Sequence, residues 1–151
     1  MYSKEELQNM RHEFWHKMES KSRRLPGQNG RPKKWIGDRT GVKGLDLRFD
    51  VNREFAMVAM EINPSGEEKK ESLWQKMLQC KTLFESCFGG ELTWEHDYEK
   101  EAGDKVVRIY VKRDGDIYNP EQWHDMIYFL LDNMMRMEKA FLEVQDYLIH
   151  F

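Results

Sequence analysis

Residues 120–149, PEQWHDMIYFLLDNMMRMEKAFLEVQDYLI, decide the fold. Within them Trp123, Ile127, Leu130, Met134, Met137, Phe141, Val144 and Leu148 recur at alternating intervals of four and three. A period of 3.5 held from residue 123 to 148 describes one long helix with an apolar seam. Asn119 is placed to cap it, Pro120 suits the first helical position, and Gln122 has capping-box spacing from Asn119. Met126, Phe129, Leu131 and Met135 widen the stripe, so the helix is expected to pack on a sheet rather than form a bare coiled coil.

Upstream of that helix the apolar period changes to two. Leu92, Trp94, His96 and Tyr98 alternate with Thr93, Glu95 and Asp97, and KVVRIYVKR (residues 105–113) follows an acidic turn. Earlier, Leu45, Leu47, Phe49 and Val51 alternate with Asp46, Arg48 and Asp50, and a turn leads into EFAMVAMEI (54–62). The latter is apolar on both faces, as expected of a central strand with at least partial cover on its second face.

Two further helices are expected. Ser3 and Glu6 have capping-box spacing, and Leu7, Met10, Phe14 and Met18 mark one face up to Pro26 and Gly27. Ser65 and Glu68 repeat the capping spacing before a stripe of Leu73, Met77, Cys80, Phe84 and Cys87, which stops at Gly89-Gly90. Cys80 and Cys87 lie about 10 Å apart along such a helix, too far to bridge, and read as two buried reduced thiols.

The order is therefore α-β(2-3)-α-β-β-α. It describes a single α+β domain over residues 1–151, with a mostly antiparallel sheet of four to five strands, three helices and the long C-terminal helix packed on the sheet. At this length a chain buries roughly 70% of the surface it exposes unfolded. Apolar residues at 40% and aromatics at 13% suffice for a core. No apolar run approaches a membrane span, and the charged start MYSKEELQNM is unlike a signal peptide, so a cytoplasmic protein without membrane contact is expected.

A net charge of −3 conceals an uneven distribution. From Lys21 to Lys43 eight basic residues face a single acid, Asp38, so this segment is +7 and the rest of the chain −10. Residues 25–44, LPGQNGRPKKWIGDRTGVKG, hold two prolines and five glycines and read as a basic loop, with a short edge strand possible at 34–37. Trp35 is the expected anchor of this loop. Interleaved cations, an aromatic ring and glycines suit phosphates and a stacked base. Arg48, Arg108, Lys112 and Arg113 extend the patch if their strands present them on the loop's side.

Other motifs carry less. His12-Glu13-Phe14-Trp15-His16 spells H-E-x-x-H, whose two histidines bind zinc on a helix while the glutamate activates water. Here, however, His12 and His16 fall on the face opposite Phe14 and Met18, and no third ligand follows at metzincin spacing. They are expected to be exposed. Glu68-Lys69-Lys70 fits an E-x-K nuclease motif but falls in the first turn of a helix, where the glutamate serves the dipole. Glu95, His96 and Asp97 read as a polar strand edge, because strand neighbours point to opposite faces. There is no G-x-G-x-x-G, P-loop, G-x-S-x-G or C-x-x-C.

Phe14-Trp15, Trp35 after a basic loop, F-G-G-E-L-T-W-E at 88–95, Arg108-Ile109 and a last helix running from Trp123 to Phe141 form a set of spaced landmarks. Through them the chain resembles the mainly bacterial domain of unknown function numbered four-two-six-eight, over about residues 10–150. That resemblance implies a link to DNA processing or defence, since members commonly follow a nuclease-like segment, and it brings no catalytic residues. By strand order the chain is also similar to small secretion-chaperone folds, which dimerise and bind proteins.

The expectation is a non-catalytic binding module without a cofactor. In it Arg31, Lys33, Lys34, Trp35 and Arg39 contact nucleic acid or another acidic partner. The alternative is a protein-interaction or homodimerisation module using the Met-rich C-terminal helix. A third is a metal-dependent hydrolase built on His12, Glu13 and His16.

Overall fold

The computed structural model describes residues 1–25 and 40–150. Helix α1 spans Lys4–Arg23 and opens with the expected capping box: Ser3 Oγ accepts from the Glu6 amide, and Glu6 Oε1 accepts from the Ser3 amide. Strands β1 (Leu45–Val51) and β2 (Phe55–Ile62) form a hairpin. Its turn is closed by Asn52, whose Oδ1 accepts from the amides of Glu54 and Phe55 at 2.8 and 2.9 Å. Helices α2 (Glu67–Gln79) and α3 (Lys81–Phe88) follow, then β3 (Thr93–Glu99) and β4 (Lys105–Asp114). A single 3-10 turn at Pro120–Gln122 leads into α4, Trp123–His150.

The sheet is antiparallel throughout, in the order β1-β2-β4-β3. This is the α+β architecture expected, with four strands among the described residues and the long terminal helix lying on them. The candidate fifth strand at 34–37 lies outside the described residues, as does Trp35. Ile127, Leu130, Met134, Met137, Phe141, Val144 and Leu148 of α4 are all buried, so the period of 3.5 marks the face laid on the sheet. They join Val58, Met60 and Ile62 of β2, Val107 and Ile109 of β4, and Phe14, Met18, Leu73, Met77, Phe84 and Phe88 from the other helices in one core. Among the described residues no helix is long and apolar enough to cross a membrane.

Several local expectations are corrected. The middle helix is two helices, because the chain turns at Cys80 (φ −94°, ψ 3°). Both thiols are half-buried rather than buried, and partial burial pushes the Cys80 thiol up from its ordinary pKa. Ser65 does not cap α2; Gly66, at φ 93°, holds that position without a side-chain bond. Asn119 does cap the 3-10 turn, accepting from the Glu121 amide, but Gln122 does not complete a box and instead accepts from the Asp116 amide.

The cover on the second face of β2 also differs from expectation. Met57, Ala59 and Glu61 are buried there, yet the apolar cluster on that side draws only on strands: Met57, Ala59 and Tyr110, with Phe55 and Tyr98 beside them. Long side chains of the sheet itself, not a helix, exclude water from that face among the described residues.

Candidate functional site

Arg31, Lys33, Lys34, Trp35 and Arg39 lie outside the described residues. His12, Glu13 and His16 are exposed on α1, on the side away from buried Phe14 and Met18, as their spacing requires. Among the described residues no group of three or more His, Cys, Asp or Glu side chains is placed to hold a metal ion. Glu68 and Lys69 sit exposed in the first turn of α2.

What the helices do assemble is a cationic groove. Where the end of α1 passes the start of α4, a cleft of about 370 Å³ is lined by His16, Lys17, Lys21 and Arg24 from one side and Trp123 and His124 from the other. Among the described residues that line it none is a carboxylate. Lys17, Lys21 and Arg24 follow each other at intervals of four and three, so one face of α1 carries all three charges. Lys17 Nζ stands 5.5 Å from the centre of the Trp123 ring, whose indole N–H donates to the Ile117 carbonyl at 2.8 Å. The tryptophan is thereby fixed as the floor beneath that lysine.

The groove continues along α4 into a more apolar pocket of about 210 Å³, lined by Leu25, Ile127, Tyr128, Leu131 and Met135, with Asp132 at its side. Lys21, His124 and Ile127 line both parts. Tyr128 is 71% exposed, the most open of the aromatic rings on α4. The basic segment of the sequence takes in Lys21 and Arg24 but leaves out Lys17, His124 and Tyr128. The four-and-three spacing of basic residues on α1 was the signal that could have found the groove.

The sheet face that carries no helix among the described residues, the helix-free face, holds a second polar constellation. Arg108 is 3% exposed and directly opposite Glu61 in the β2–β4 register. Its Nε and Nη2 donate to Glu61 Oε1 at 3.0 and 2.9 Å, and its Nη1 donates to Asp50 Oδ2 at 2.7 Å. Arg48 donates to the other Glu61 oxygen at 3.1 Å, Lys100 lies 3.7 Å from it, and the Tyr98 ring stacks 4.6 Å from the Arg108 guanidinium. Burial opposes the charge on Arg108, but the Asp50 and Glu61 carboxylates more than restore it and raise its pKa. Beside it the Tyr110 hydroxyl donates to Glu95, and burial followed by that carboxylate pushes its pKa upward. Arg48, Arg108 and Lys112 thus lie on the sheet face opposite the α1–α4 groove, and the basic loop they were expected to extend lies mostly outside the described residues.

A bulge in β3 creates a third cluster. Glu95 pairs with Arg108 but Tyr98 with Val106, so β3 spends one residue more than its partner between these points. Glu95 and Tyr98 consequently share the helix-free face. His96 and Asp97, expected on opposite faces, come together instead: His96 Nδ1 is 3.0 Å from Asp97 Oδ2, and Nε2 is 2.7 Å from Glu71 Oε2 of α2. Bonds to Asp97 and Glu71 raise the His96 pKa, while the His96 contact lowers both carboxylates.

An antiparallel sheet of four strands among the described residues, with helices against one side and a cationic groove between the first and last helix, defines an α+β module. The chain belongs to the family described as Domain of unknown function (DUF4268), which it matches over residues 10–145. Comparisons with curated proteins and with solved structures find no match.

Proposed function

We propose that this chain is a non-catalytic binding module that engages nucleic acid through a basic surface. One observation carries the reading. The α1–α4 cleft gathers Lys17, Lys21, Arg24 and two imidazoles, with no carboxylate among the described residues of its lining, although the chain as a whole is acidic. Lys21 and Arg24 also belong to the +7 segment, so the basic residues Arg31, Lys33, Lys34 and Arg39 and the ring of Trp35 adjoin the groove in sequence. Concentrated cations on an acidic chain favour a polyanion, because phosphate contacts release condensed counterions.

Oligonucleotide binding at low salt tests this. Wild type should bind, with affinity falling linearly in log salt, and the Lys33→Glu/Lys34→Glu variant should bind more weakly. A wild type that binds no better than this variant overturns the reading.

A second reading, association through α4, rests on a different observation. Tyr128, Met135, Leu142 and Ile149 are exposed at 71%, 39%, 38% and 47%, at intervals of seven along the helix. Met126, Met134 and Met137 are fully buried, so these four residues, not most of the methionines, would form the contact. Sedimentation of wild type against Leu142→Glu distinguishes it: a self-associating wild type and a monomeric variant support it.

A further inference from the structure

The groove between α1 and α4 has two halves of different chemistry. Its first half presents Lys17, Lys21 and Arg24, with no carboxylate among the described residues that line it. Its second half is floored by Ile127 and Leu131, walled by Leu25 and Met135, and rimmed by the exposed ring of Tyr128, with the Asp132 carboxylate at its side. Lys21 and His124 border both, so a ligand with alternating anionic and flat apolar groups meets the matching surface in each half.

We propose that this groove takes single-stranded nucleic acid, with backbone phosphates on Lys17, Lys21 and Arg24 and a base laid against Tyr128. The proposal rests on the nucleic-acid reading above and narrows it. A duplex satisfies only the cationic half, because its base faces are stacked and paired and offer nothing to an apolar floor. A single strand can turn a base out onto an aromatic ring, and such stacking tolerates any sequence because every base has a π-face. The exposed tyrosine supplies that ring where charge contacts alone would not need one. An acidic amphipathic peptide would meet the same charges, but it would use the apolar floor without requiring an aromatic rim.

The test uses the full chain and a labelled oligothymidylate of roughly 12 nucleotides, within the usual span of single-strand sites. The same strand annealed to its complement is the duplex arm. The single strand should bind at least about tenfold tighter than the duplex. Tyr128→Ala should weaken single-strand binding about tenfold and leave duplex binding unchanged, whereas Tyr128→Phe keeps the stack and the affinity. Lys21→Gln/Arg24→Gln should weaken both arms and flatten the single-strand salt slope by roughly 1.4, since two phosphates are no longer neutralised. All these side chains are exposed, so the variants report binding rather than folding. Equal affinity for both arms, with Tyr128→Ala indistinguishable from wild type, overturns this proposal and leaves the broader reading intact. Absence of binding to either arm at low salt overturns both. A Tyr128→Phe variant as weak as Tyr128→Ala also overturns it, since the hydroxyl rather than the ring would then make the contact.

Discussion

Arg108 and Glu61 face each other across β4 and β2, each only 3% exposed, and two guanidinium nitrogens converge on one carboxylate oxygen at 2.9 and 3.0 Å. This pair lies on the sheet face that carries no helix among the described residues. Two opposite charges removed from water gain little net stability over well-packed apolar groups, but removing one leaves the other stranded. Arg108→Met should therefore cost about 3 kcal/mol, because Asp50 and Glu61 lose their shared donor. The Arg108→Met/Glu61→Met double variant should recover much of that loss. Urea unfolding of the wild type, both single variants and the double closes the cycle; purely additive losses would show that the pair does not act as a unit.

The β3 bulge makes a pH prediction with a definite sign. His96 has its pKa raised by Asp97 and Glu71, so its contribution to stability is complete below the ordinary histidine value of 6.5. It is lost as pH rises through the raised value. Glu71 and Asp97 have lowered values, so their contribution is complete above the ordinary 4.5 and 3.8 and is lost as pH falls through the lowered ones. Lys70 and Lys105 reinforce the ionised carboxylates, and Trp74 meets the imidazole edge-on at 5.5 Å. The cluster is thus most stabilising from about pH 4.5 to 6.5. Melting temperature followed across pH should fall on both sides of that window in wild type, and more shallowly above it in His96→Gln. Parallel profiles for the two proteins would show that the cluster does not contribute.

Gly44 is a stricter position than its loop setting suggests. Its φ is +85°, and a Cβ there would stand 2.5 Å from Pro64 Cβ and 2.7 Å from Pro64 Cα. The close approach also serves the Asn63 amide, which donates to the Gly44 carbonyl at 2.7 Å. Backbone cannot yield as a flexible side chain does, so Gly44→Ala should destabilise by more than about 1 kcal/mol. Gly103→Ala provides the comparison: its φ is +97° but nothing lies within 4 Å of a Cβ. It should lose less, and chemical denaturation of the two variants measures the difference between strain alone and strain with a clash.

How far the sequence revealed this molecule depends on the range of the forces concerned. Helix α4, the α1 capping box and the β1–β2 hairpin are local patterns, and each was readable from spacing alone. The break at Cys80 was not, because Leu73, Met77, Cys80, Phe84 and Cys87 stay in helical phase across it. The bulge was hidden for another reason: the extra β3 residue exists only relative to β4, and single-strand alternation wrongly set Tyr98 on the face of Trp94. The two-sided burial of β2 was legible, but not its cause. Glu61 and Arg108 read as polar strand residues until the register brings them together. The groove was half legible: the charge excess pointed to Lys21 and Arg24, while the partner wall from α4 needed the tertiary fold.

The seam of α4 can be tested at two adjacent methionines. Met134 is fully buried against the sheet, while Met135, about 100° further round the helix, is 39% exposed. Their side chains are chemically identical and both helical positions tolerate alanine, so propensity does not separate them. Burial does. Met134→Ala removes packed atoms from a core that cannot fully collapse and should cost about 2–5 kcal/mol. Met135→Ala removes a side chain already partly in water and should stay within about 0.5 kcal/mol of wild type. Equilibrium unfolding of the two variants decides it. Equal losses would mean that the 3.5-residue period does not set which face of α4 meets the sheet, and the packing of the whole helix layer would have to be redrawn.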